Sequence, residues 1–209
     1  MPKERNLQIF AWSLSSLVAV LAIYVWGNNL QWQLSTIKAF DLFPIFGLVA
    51  FSLMWSHYIV SAVRQYWGIN KQTLNTYIEV TSLLVLVAIC AHPGILEWTL
   101  WKNGLGLPPI NALRLYDNSM RLFVTFGMVS LLVFLAYEFR RWFSQKPWWK
   151  FVGFATDAAM LLIFVHSLKL GRNLQAGWFK LVWWFYGVTL ILALIYLYWR
   201  RYGHKAKPA

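Results

Sequence analysis

The stretch LNTYIEVTSLLVLVAICAHPGI, residues 74–95, decides the class of this chain. It has the roughly 20 residues that a helix needs to cross the hydrocarbon core of a bilayer. Within it stand one carboxylate, Glu79, and one imidazole, His92. An ionisable side chain at that depth costs about 3 kcal/mol, so its presence marks a functional site or a paired network.

Five further runs of the same kind lie on either side. With Leu74–Ile95 as the third, the predicted spans are Leu7–Trp26, Asp41–Val63, Ser119–Tyr137, Trp149–Leu170 and Trp178–Trp199. Turn-forming residues separate them, among them Gly27-Asn28-Asn29, Gly68-Ile69-Asn70, Pro108-Pro109 and Gly171-Arg172-Asn173. The reading is an all-α membrane protein, a single six-transmembrane-helix bundle over residues 1–209. No internal repeat and no second domain are expected. The first run is expected to stay as a span and not to be cleaved as a leader, because no small-residue cleavage site follows it.

Composition agrees. The chain is 59% hydrophobic and 19% aromatic, with 12% charged residues and a mean hydropathy of +0.51. A water-soluble domain of 209 residues has too little interior to hide that much apolar surface. The net charge of +12 does not point to nucleic acid, because the basic residues flank apolar runs. Twelve of them, including Lys3, Arg64, Arg140, Arg141, Lys150 and Arg201, fall on one side, and seven, including Lys38, Lys102, Arg121 and Arg172, on the other. The positive-inside bias predicts both termini in the cytoplasm of a multi-pass plasma-membrane protein, with a bacterial membrane as the default. The lipid bilayer is then the first partner. The sole cysteine, Cys90, permits no internal disulfide and is expected to be a small buried hydrophobe. Tryptophans near span ends, such as Trp26, Trp98 and Trp178, are expected in interfacial belts.

The chemistry lies in two layers. His92 and His166 both fall near the outer ends of spans that run outward, the third and the fifth. At 1.5 Å per residue both sit roughly 5 Å below the outer interface. Two imidazoles at one depth can hold one metal between them, and a haem iron takes two such axial ligands. Each would bind through one ring nitrogen while the other N–H finds a partner. The competing reading makes each histidine a hydrogen-bonded packing residue. The second layer is His57, Glu79 and Asp157, each roughly 20–24 Å from the outer face. It reads either as a polar network joining helices or as a site for a quinone, a flavin or a proton relay.

The stretch from Gly127-Met-Val-Ser through Arg140-Arg141-Trp142 and Trp148-Trp-Lys-Phe to Phe164-Val-His166-Ser-Leu-Lys-Leu-Gly171 resembles the ferric reductase-like transmembrane domain superfamily. That superfamily includes ferric reductases, the membrane part of NADPH oxidases and the haem subunit of methionine sulfoxide reductase systems. The resemblance covers roughly residues 41–200 and makes His92 and His166 an axial pair. Two-haem members carry a second histidine 13 or 14 residues before each ligand; here those positions hold Glu79 and Gly153 or Val152. The resemblance therefore implies a single-haem form with one b-type haem. No Gly-rich phosphate motif is found, so flavin- and nicotinamide-binding domains are not expected in this chain.

The expected function is a haem-containing oxidoreductase component, a membrane b-type cytochrome. It would move electrons from a cytoplasmic flavoprotein reductase or a quinol to an acceptor on the outer side. The alternative is a haem-free transporter, proton pathway or assembly factor that works through the inner polar layer.

Overall fold

In the computed structural model, residues 2–175 and 177–203 are described. His204, Lys205 and Lys207, in the basic tail, lie outside them. The described residues contain no strand; they form six long α-helices and two short ones, with three short 3-10 turns between them. The long helices are α1 (Pro2–Asn29), α2 (Ala39–Tyr66), α3 (Asn75–Lys102), α5 (Asn118–Tyr137), α7 (Trp149–Leu170) and α8 (Trp178–Tyr202). The short ones are α4 (Ile110–Leu115) and α6 (Arg140–Phe143).

All six long helices are long and apolar enough to cross a membrane, so the chain is a multi-pass membrane protein of the expected class. An even number of spans brings Pro2 and Tyr202 to the same face, called here the terminal face; the opposite face is distal. Helix α7 matches its predicted span, and the others outrun theirs, α3 by seven residues at its distal end, because polar and aromatic residues such as Glu97, Trp98 and Trp101 continue the helix beyond the apolar stretch. Large apolar side chains are exposed on every span, as expected where lipid replaces water as solvent.

The helices are organised as two hairpins. α2 packs along α3, and α5 packs along α7. α1 and α8 then both lean on α2. The two hairpins approach each other sparsely. At mid-depth they are bridged by rings: Phe51 of α2 stacks on Phe164 of α7 at 6.0 Å, and Trp183 of α8 tilts against Phe51 at 4.6 Å. Gly187 on α8 makes this possible, since a Cβ there would collide with the Phe164 ring. At the distal face the link is α4, which touches both α3 and α5. Between those bridges the hairpins stand apart.

Two expectations fail here. Cys90 is exposed on the outward face of α3. Trp26 is buried, and its indole N–H donates to the Asp41 carbonyl at 2.7 Å, so it ties α1 to α2 and does not sit in a lipid-facing belt.

Candidate functional site

The gap between the hairpins is a cavity of about 750 Å³. Its walls are overwhelmingly apolar: Leu48 and Met54 from α2, Ile89 and Leu96 from α3, Met128 and Leu131 from α5, and Ile163 from α7. Phe51 and Trp183 also line it, Phe134 lines it toward the terminal face, and His92 and His166 line it from opposite hairpins.

Each histidine is held by the partner helix of its own hairpin. His92 Nδ1 lies 2.7 Å from the Phe43 carbonyl, and His166 Nδ1 lies 2.7 Å from the Phe123 carbonyl. A carbonyl only accepts, so in both rings Nδ1 carries the proton. That leaves Nε2 of both rings as a free lone pair in a cavity-lining side chain. A fixed tautomer with the second nitrogen available is how an imidazole is prepared as a ligand.

A glycine four residues after each carbonyl explains how the rings reach it. A helical side chain covers the turn on its N-terminal side, so a residue at 47 would sit over the Phe43 carbonyl. Gly47 leaves that carbonyl bare: a Cβ there would come within 2.8 Å of His92 Cε1. Gly127 does the same for His166, with a virtual Cβ 2.6 Å from Cε1. The two half-sites share a sequence, Phe43-Pro-Ile-Phe-Gly47 and Phe123-Val-Thr-Phe-Gly127. A short repeat is therefore present where none was expected. Comparing the chain with itself over five-residue windows would have found it, and with it the partners of both histidines.

The matched placement of His92 and His166 does not come from distance to the helix ends. His92 lies ten residues before Lys102, and His166 four before Leu170. Equivalence is set by the Phe-x-x-Phe-Gly turns, four and five residues into α2 and α5.

The inner layer is divided. Asp157 on α7 accepts a hydrogen bond from Tyr58 of α2 at 2.8 Å and from Tyr198 of α8 at 2.5 Å. His57 bonds to Thr81 Oγ1 of α3 at 2.7 Å and meets the Tyr77 ring edge-on. Beside it the Ser15, Ser56 and Tyr77 hydroxyls form a closed triangle at 2.8–3.2 Å across α1, α2 and α3. Glu79 is exposed. It lies two residues before Thr81, about 200° round the helix, so it points away from His57. Among the described residues no hydrogen bond joins Glu79, His57 and Asp157 into one group.

Among the described residues, four buried polar atoms have no hydrogen-bond partner: Ser52 Oγ, Glu97 Oε2, Asn173 Nδ2 and the Tyr186 hydroxyl. Glu97 and Asn173 line the cavity. Among the described residues no cluster of three or more His, Cys, Asp or Glu is placed to hold a metal ion. A bare ion in the cavity would thus lack ligands, whereas a metal already held by a macrocycle needs only the two imidazoles.

Compared with models of protein families, with curated proteins and with solved structures, the chain finds no match.

Proposed function

We propose that this protein is a membrane b-type cytochrome in which His92 and His166 are the two axial ligands of one haem. The observation that carries the reading is the pair of mirrored half-sites. On each hairpin a glycine bares a carbonyl, the carbonyl takes the Nδ1 proton, and Nε2 is left free at the wall of one shared cavity. A packing histidine needs only one partner and no void beside it. The cavity volume also fits: about 750 Å³ lies within the range of small-molecule and cofactor sites, about 300–1,000 Å³.

When bound, such a haem would be held by His92 and His166 and would supply a one-electron centre. The residues supply the rest. Phe43 and Phe123 fix the imidazole tautomers through their carbonyls. Leu48, Met128, Leu131 and Ile163 exclude water, and the Phe51–Trp183 pair forms an aromatic side wall. The chain would pass electrons from a flavoprotein reductase or quinol on the terminal face to an acceptor at the distal face. Basic flanks favour a cytoplasmic terminal face. The resemblance to the ferric reductase-like superfamily supports the same assignment.

A haem-free transporter or proton pathway would work through the inner layer. There His57 and Asp157 are each bonded to a neighbouring helix, an arrangement suited to holding helices together.

Purified protein tests the proposal through its visible spectrum. A b-type Soret band is expected in the native chain and is expected to be lost in His92→Ala and in His166→Ala. Full haem retention by both single variants refutes the ligand assignment.

A further inference from the structure

The cavity is polarised along its length. Its terminal end is Met54 and Phe134, and its distal mouth carries charge. The charges at the mouth are sorted by sign. Asp41 and Glu97 stand on the α2–α3 side; Arg172 and Asn173 stand on the turn that leaves α7.

That turn is rigidly built. Gly171 allows it, since a Cβ there would fall 2.5 Å from the Ser167 carbonyl oxygen. Leu174 pins its far end in the core at 1% exposure, and its N–H donates to the Gly171 carbonyl at 2.8 Å. Asn173 Nδ2 is thereby buried at the cavity with no acceptor of its own. A buried amide donor without an acceptor is destabilising, and a ligand oxygen placed there removes that cost. On the opposite wall Glu97 Oε2 is also buried and unpaired, but it is an acceptor when ionised. Asp41 is already engaged by the Lys38 backbone N–H at 3.0 Å.

We infer that Arg172 and Asn173 form a carboxylate-holding subsite that sets which way round a dicarboxylate macrocycle sits in the cavity. The acid arms lie at the distal mouth on the α7 side, and the apolar edge lies on Met54 and Phe134. A donor amide beside a guanidinium accepts a carboxylate with charge-assisted hydrogen bonds. The acidic opposite wall repels it, so only one side of the mouth is open to the arms. This inference rests on the haem reading above.

The test uses the full-length chain, freed of haem, in detergent. It is titrated with ferric protoporphyrin IX and, separately, with the dimethyl ester, which keeps the ring and iron but has no free acid. The b-type absorbance per protein gives each Kd. The native chain is expected to bind the free acid about tenfold or more tighter than the ester. The variant carrying Arg172→Ala and Asn173→Leu is expected to bind both alike. Comparing variant with native chain cancels the ester's own partition into detergent. Glu97→Gln is expected to keep or widen the preference; losing it there would put the anchor on the wrong wall and overturn the proposal. Equal binding of acid and ester by the native chain refutes the subsite while leaving the haem reading intact. No b-type spectrum with either porphyrin overturns the haem reading and this inference with it.

Discussion

Replacing Gly127 by alanine places a Cβ 2.6 Å from His166 Cε1 and 2.7 Å from Nδ1. Contacts that short do not occur between packed carbons, so the ring must move. It cannot move while keeping its 2.7 Å bond to the Phe123 carbonyl, because the new methyl covers that carbonyl. Overpacking in a filled site costs about 1–3 kcal/mol. Losing a buried hydrogen bond adds about 1 kcal/mol. The better helix propensity of alanine returns about 0.5–1 kcal/mol. Gly153→Ala, on the same helix as His166, supplies the reference: a Cβ there meets nothing within 4 Å, so only the propensity gain applies. The two variants should therefore differ by about 2–4 kcal/mol in stability. Because the displaced imidazole also loses its tautomer-fixing partner, haem affinity should fall about 10–100-fold in Gly127→Ala alone. Thermal unfolding in detergent and Soret absorbance per protein measure the two effects. If Gly127→Ala melts and binds haem like Gly153→Ala, the claim that glycine opens the helix for the histidine is wrong.

Three further outcomes are expected. Asp157→Leu leaves the Tyr58 and Tyr198 hydroxyls without their acceptor, so stability should drop by about 2–4 kcal/mol with haem content unchanged; native stability with lost electron transfer would make that layer functional after all. Glu79→Gln should alter neither haem content nor reduction rate, since the side chain points away from His57; slowed reduction by a quinol at full haem content would contradict this. Reporters active only outside the cell, fused at either end, should stay silent if both termini are cytoplasmic, and a signal from either end reverses the assigned sidedness.

The membrane class was legible because it depends on summed hydrophobicity. Six runs of about 20 apolar residues have few other ways to fold, and residue 93, a proline inside α3, does not break its helix once neighbours pack around it. The two histidines stood out for the same reason: imidazoles are rare in such runs. The inner layer was misread in part because depth along a helix is easily counted, whereas azimuth depends on which face the neighbours cover. Glu79 shares a level with His57 but not a direction.

Residue order alone gives the six membrane-spanning runs and marks His92 and His166 as the unusual groups in them. Both follow from local free energies of transfer. The pairing of the helices into two hairpins with a cavity between them, and the turn of each histidine's Nδ1 onto a backbone carbonyl of the helix beside it, emerge only in the packed fold. Those depend on which helices touch and on the azimuth of every side chain. Residues such as Gly47 and Gly127 carry that information by having no side chain, and so contribute nothing to a hydropathy profile.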